Sequence, residues 1–489
     1  MPAELVAVLD GWWATGDYDV AREVLQRGVA ALLCLAFVQA LGQFRPLLGE
    51  RGLQPVPEFV TRTRFRDAPS LFHLRYSDRL LVVVAGVGAA LSAAVVVGLV
   101  QLGPWWVTTA ALLVCWAAYL SIVDVGQRFY SFGWEMLLCE AAFLVAWFGS
   151  LAVPVPFLLV LASRWLLFRL ELGAGLIKWR GDRAWRDLTA MDHHHETQPM
   201  PGPFSWHAHH LPRWWHRTEV VGNHVTQLAV PWLLWLPQPG PSIAGAAVVV
   251  TQGWLVLTGN FAWLNWAAIV LGAAMVSDGV WAALLGGPGA GSAGAAAQAP
   301  GPDGYVLVVA AVVVLLAVLS VRPALNLTSP HQRMNASFDP LRLVNAYGAF
   351  GSVTRRREEV VIEGSLPAEP GPADWREYAF RGKPGEVGRR PPQVAPYHLR
   401  LDWVLWFVPL GVRGPWIARL LLRLLQADRA TLRLLRHDPF DGTAPTWVRV
   451  RLFRYRYTTP AERRATGDWW VRHELGTLVD PVRRADLEA

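Results

Sequence analysis

Residues 80–101 read LLVVVAGVGAALSAAVVVGLVQ, and the charge-free run continues to Val123 without one Asp, Glu, Lys or Arg. A second region, Val220 to Val321, carries only Asp278 and Asp303. About 20 apolar residues make one helical span, so both regions are long enough to cross a bilayer repeatedly. They are too long and too apolar for the core of a single soluble domain. The chain therefore reads as a polytopic membrane protein.

Working outward from that run, apolar windows place about eight or nine spans. They lie near residues 24–43, 80–101, 105–123, 132–151, 154–177, 220–237, 243–258, 262–285 and 304–321. Gly103-Pro104 and Pro154 to Pro156 divide longer runs, because proline removes a helix donor and clashes with the preceding turn. Gly286 to Gly304 is rich in Gly, Ala and Pro and reads as a flexible connection. The first residues carry Glu4, Asp10, Asp17 and Asp19, the wrong sign for a cleavable signal peptide. The stretch from Gly28 to Phe44 reads instead as a retained anchor.

Composition agrees. The chain has 489 residues, 53% of them hydrophobic, and 26 tryptophans. Trp gathers at membrane–water boundaries, where its ring is apolar and its N–H needs a partner. The net charge is +7, with basic residues concentrated in loops and tail, which points to a membrane surface rather than to nucleic acid. Cys34, Cys115 and Cys139 each lie in an apolar run and form no CxxC pair. A disulfide scaffold, a zinc ribbon and a thiol-exchange site are all poorly supported. The Ala, Val, Gly, Leu and Arg bias points to a high-GC bacterial gene.

After Arg322 the texture changes. Glu359–Glu363, Trp375–Phe380 and Val448–Tyr457 alternate like short strands. Ile417–Leu435 reads as one amphipathic helix, and the Trp-rich Leu401–Pro409 as an interfacial segment. The expected fold is a polytopic α-helical membrane bundle over residues 1–322, followed by a smaller, strand-rich α+β domain over 323–489.

Several windows contain ionisable residues. Glu135 and Glu140 lie in the fourth; Arg164, Arg169 and Glu171 lie in the fifth, which ends at Lys178 and Arg180. Charge at mid-bilayer costs several kcal/mol, so such residues face inward and pair. Glu135 or Glu140 is expected to meet Arg164 or Arg169. These groups either lock two helices together or line a polar cavity.

Between the spans, about residues 179–219, lies a His-rich loop; Asp187 to His224 holds eight of the thirteen histidines. Asp187, Asp192, His195, Glu196, Gln198, Asn223 and His224 are its candidate functional residues. Imidazole and carboxylate suit a transition metal, yet no HExxH-type spacing occurs. No metal and no cofactor are assigned.

The ordered series Tyr130–Glu140, Arg169–Arg186, His195-Glu-Thr-Gln-Pro-Met-Pro201, Glu219–His224 and Leu343–Thr354 resembles the lipase maturation factor family. Glu358–Gly364, Arg389–Pro392, Tyr397–Trp403 and Arg454–Tyr457 extend the resemblance over most of the chain beyond about residue 70. The membrane half also looks similar to the vitamin K-dependent carboxylase superfamily. The resemblance implies a multi-pass membrane protein. It implies assistance to folding and assembly of exported lipases, with animal members in the endoplasmic reticulum. Two departures stand out. His194 lies beside the matched core, which weakens the triple His as a metal motif, and the scarcity of cysteines leaves no basis for thiol-based assistance.

Arg45, Arg51, Arg62, Arg64, Arg66, Arg75 and Arg79 place the loop after the first span in the cytoplasm by the positive-inside tendency. Nine spans would then leave the C-terminal domain cytoplasmic, whereas the resemblance implies the extracytoplasmic side; the latter orientation is adopted. The leading expectation is a maturation factor in a bacterial plasma membrane, binding lipids and an exported lipase or other client, without turnover. Trp403, Trp406, Arg454 and Tyr455 are the candidate client contacts. The alternative is an integral-membrane enzyme acting on a lipid-like or peptide substrate.

Overall fold

The structure, a computed structural model, describes residues 14–15, 17–285 and 302–488. Glu4, Asp10 and most of the Gly286–Gly304 connection lie outside the described residues.

The membrane half is built from helices α1 (Asp19–Leu48), α2 (Asp78–Val96), α3 (Trp105–Asp124), α4 (Gly133–Ala146) and α5 (Phe157–Arg180). Two short helices follow, α6 (Met191–Thr197) and α7 (Arg213–His224). The half closes with α8 (Gly240–Thr258), α9 (Leu264–Ala273), α10 (Asp278–Leu285) and α11 (Asp303–Thr328). Pro104 and Pro156 sit immediately before α3 and α5, where a missing N–H does no harm.

Helix starts are fixed by local chemistry. Ser77 accepts from the Leu80 amide and caps α2. Asp278, one of two charges in its long apolar stretch, accepts from the amides of Asp19 and Val20 at 2.9 and 3.0 Å. It thereby satisfies orphan donors at the start of α1 and ties that end to the break between α9 and α10.

Helices approach closely where a side chain is missing. Gly88 of α2 faces the Phe37 ring of α1, and Gly245 of α8 faces the Gly272 carbonyl of α9. A Cβ at either position would collide with its neighbour, the small-residue logic of membrane helix packing.

Five of these helices, α1, α2, α3, α8 and α11, are long and apolar enough to cross a membrane; the pair α9 and α10, bent by 99°, makes a sixth if taken as one broken span. The expected eight or nine spans included three windows that fold differently. Window 132–151 becomes the 14-residue, almost wholly buried α4. Window 154–177 becomes α5, whose charges point into the protein. Window 220–237 divides into the end of α7, a π-helical turn at Val225–Ala229 and a 3-10 segment at Val230–Trp235. α11 presents most surface outward: only 17% of its apolar window is covered.

The C-terminal region carries a four-stranded antiparallel sheet in the order β2-β1-β3-β4: β1 (Arg357–Ser365), β2 (Arg376–Glu377), β3 (Trp447–Tyr457) and β4 (Trp470–Val482). Along β3 burial alternates, with Val448, Val450, Phe453, Tyr455 and Tyr457 inside and arginines between them. The expected Trp375–Phe380 strand shrinks to two paired residues. The expected 417–435 helix breaks into α13 (Pro415–Leu425) and a single turn at Arg429–Leu432, parted at Ala427, whose φ of 45° ends the first helix. The segment expected to be interfacial is instead α12 (Arg400–Leu405), with every residue buried.

One hydrophobic core joins the two regions. Leu33, Phe37 and Tyr119 belong to the same buried cluster as Trp403, Leu420 and Val448.

Candidate functional site

The site lies where α4, α5 and the His-rich segment meet the C-terminal region. Its first element is a pair that crosses the whole sequence. Arg400 of α12 enters the helical bundle and donates to Glu135 at 2.7 Å, to the Phe129 carbonyl at 2.6 Å and to Gln39 at 2.9 Å. Its guanidinium lies 3.3 Å from the Tyr130 ring centroid, and Tyr119 donates to the other Glu135 oxygen. Glu135 and Arg400 are both inaccessible to solvent.

The second element is the expected contact between α4 and α5. Glu140 and Arg169 form a buried ion pair. Glu140 also accepts from the Asn345 amide at 2.8 Å, the Asn345 side chain at 3.0 Å and the Tyr347 hydroxyl at 2.7 Å. Arg169 donates to the Asn345 carbonyl. Every lone pair of a buried carboxylate must find a donor, and here the 343–354 segment supplies them. Arg164 pairs with no carboxylate among the described residues; it donates to Tyr18 and the Leu234 carbonyl.

Third, Glu171 and Lys178 occupy the same face of α5, two turns apart, and are bridged by amides. Glu171 accepts from Gln227 at 3.2 Å and Gln252 at 3.0 Å; Lys178 donates to Gln227 at 2.9 Å and Asn223 at 3.0 Å. Both face a cavity of about 790 Å³ that runs from these groups to Trp403 and Phe407 of the C-terminal region. Arg180 stands at its mouth, donating to Leu327 and Gln332.

The His-rich segment forms α6, a short helix at Ser205–His209 and α7. Proline-stiffened turns between them are held by side chains. Gln198 donates to the carbonyls of His195 and Thr258 and to Ser205. Glu196 accepts from the Tyr457 amide of β3 at 2.8 Å. Arg357 of β1 donates to the carbonyls of Glu196 and Pro199, at 2.9 and 3.0 Å, and to Glu359 at 2.5 Å. Lys383 pairs with the same Glu359 at 3.0 Å. His224 contacts the Trp185 carbonyl at 3.1 Å. Asp187 stays at the surface, paired with Arg183.

The ligand atoms of His195, His216 and Glu219 fall within 4.8 Å of one another, a spacing that could hold a metal ion. Each is also engaged by protein. His195 meets Glu219 at 3.3 Å, Glu219 accepts from Trp254 at 2.5 Å, and His216 lies 3.1 Å from both Asp192 and the Ala208 carbonyl. Burial pushes the His194 imidazole down to about 3 and does the same for His209. Both rings are neutral near pH 7 and serve as packing groups.

Of the residues read from sequence as client contacts, Trp403 and Tyr455 are buried, with 3% and 1% of their surface exposed. This corrects their assignment to an exposed face: Trp403 packs against Phe132, Trp134 and His398, and Tyr455 against Trp470. Trp406 and Arg454 remain partly exposed. Sequence reading missed Arg400, Arg357, Asn345, Gln227 and Gln252. The one signal for Arg400 was a charge set in a run of leucines and tryptophans.

The fold and this site define an integral membrane protein whose helical bundle is locked to a strand-containing region by buried ion pairs. The lipase maturation factor transmembrane domain matches residues 20–283, and the lipase maturation factor C-terminal domain matches residues 343–480. The chain is 39% identical to lipase maturation factor 1 of Bos taurus, over 96% of this chain and 90% of that protein. It is 38% identical to the Homo sapiens lipase maturation factor 1, over 97% and 89%. Human lipase maturation factor 2 is 30% identical, over 95% and 83%. No solved structure matches. The chain belongs to the lipase maturation factor family.

Proposed function

We propose that this protein assists the folding and assembly of exported proteins, a lipase among them, while anchored in a membrane. The observation that carries this reading is likeness to lipase maturation factor 1 along nearly the whole of both chains. The site supports a binding role. Glu135, Glu140 and Glu171 are each committed to donors of the protein itself, so the buried carboxylates hold the fold together.

The chain divides near residue 322 into a membrane part and a client-facing part. α4 and α5 also lie at membrane depth, packed behind α1 and α11, which brings the spans towards eight. The membrane is a bacterial plasma membrane, with the C-terminal region on its extracytoplasmic side. Trp406 and Arg454 are the client contacts retained, joined by Phe204, which is 51% exposed beside Arg390.

A photocrosslinking amino acid at position 204 or 454, in cells secreting a lipase, tests this. An adduct containing newly exported lipase is expected at these positions and not at the lipid-facing Val314. Adducts with lipids alone at all three positions would remove the client surface.

A further inference from the structure

The cavity beneath α12 has features that a client-binding surface does not require. Its volume of about 790 Å³ lies within the range of about 300–1,000 Å³ typical of small-molecule sites. Its walls are largely apolar and aromatic, including Leu170, Leu255, Phe261 and Phe407. At the end formed by Glu171, Lys178 and Asn223 the unspent hydrogen-bonding capacity is mainly donor. Lys178 has three N–H groups and gives two, to Asn223 and Gln227. Asn223 accepts from Lys178 and its own NH2 makes no hydrogen bond among the described residues. A buried donor without a partner costs about 1–3 kcal/mol, and the spare N–H of Lys178 and the NH2 of Asn223, neighbours in one cavity lining, are most simply met by an acceptor that enters it.

Charge narrows the class. Lys178 is balanced by Glu171 through the shared Gln227. A second anion beside Lys178 would have no counter-charge, because Arg180, the other lysine or arginine of the lining, is exposed at the mouth, so the acceptor at the buried end is neutral. The mouth, at Arg180, Pro330 and His331, opens at the end of α5 where the bundle meets the C-terminal region. We propose that this cavity binds a neutral lipid bearing a carbonyl acceptor, its chain against Leu170, Leu255 and Phe407 and its carbonyl towards Lys178 and Asn223. Asn265 Oδ1, which accepts nothing among the described residues, leaves room for a hydroxyl on the same molecule.

The test uses the detergent-purified full chain, labelled with a diazirine-bearing monoacylglycerol or with the free fatty acid carrying the same chain. The account expects the ester to label the segments around Leu170 and Leu255. Unlabelled monoacylglycerol should reduce that labelling about tenfold, and the free acid should label several-fold less. Leu255→Trp, which fills the cavity, should abolish labelling. The charge-balanced double variant Glu171→Gln/Lys178→Met should lower labelling several-fold. If either variant fails to fold, competition on the unmodified protein decides alone. Labelling confined to outward residues such as Val83, Val250 and Leu307, or equal labelling by acid and ester, would overturn the proposal.

Discussion

Arg400 and Glu135 are 265 residues apart in sequence and 2.7 Å apart in space, and neither touches solvent. The pair joins the C-terminal region to the centre of the helical bundle. Removing one partner strands the other as a buried charge, which costs about 3–5 kcal/mol. Arg400→Met should therefore lower the melting temperature in detergent sharply. Glu135→Leu combined with Arg400→Met should cost less than Arg400→Met alone, because no unpaired charge remains. Two variants with equal losses would show that the pair is not coupled.

Arg357 fastens the His-rich segment to the sheet through the carbonyls of Glu196, Gln198 and Pro199, with Glu359 of the same strand holding its guanidinium. Hydrogen bonds from charged groups contribute about 1.5–3 kcal/mol each, and Lys383 keeps Glu359 paired after the change. Arg357→Ala removes several of these at a buried site and should destabilise the protein by about 3–5 kcal/mol. Hydrogen exchange should rise first at residues 191–199 while α1 stays protected. Uniform loss of protection would place Arg357 in the general core instead.

Gly245 leaves no room between α8 and α9. Gly245→Leu must push the helices apart, and overpacking of this kind costs about 1–3 kcal/mol. Gly253, on the same helix with open space around it, is the control: Gly253→Leu should leave the melting temperature almost unchanged. Equal melting temperatures for the two variants would contradict the close approach.

His194 and His209 are each held near 3 in the fold by burial, against an ordinary value near 6.5. The unfolded chain therefore binds more protons than the folded chain between those values, and stability falls as pH drops through that window. Melting temperature in detergent should decline from about pH 6.5 downwards. His194→Phe, which keeps an aromatic ring against Phe261 and Phe350, should flatten the decline. A variant with the same pH profile as the parent would show that His194 is not its source.

The membrane character was legible at once, because a charge-free run of that length is stable only with lipid around it. The contact between Glu140 and Arg169 was legible too, since neighbouring apolar windows carried opposite charges that had to pair. Arg400 was not, because only the tertiary fold brings residue 400 beside residue 135. Trp403 was misplaced for a compositional reason: a short Trp-rich run looks the same in a core as at a lipid interface. β4 escaped notice because Arg472, His473, Glu474 and Asp480 suit an edge strand with solvent on both faces, a pattern without the alternation that exposed β3. The break at Ala427 has no Gly or Pro to announce it.

The central claim is that this chain raises the active fraction of an exported lipase. The most direct measurement is lipase activity per unit of secreted lipase protein, with transcript measured in parallel, in cells with and without the gene. The account predicts a severalfold loss of specific activity at unchanged transcript, restored by the intact chain and not by Arg400→Met. Unchanged specific activity after deletion would contradict it.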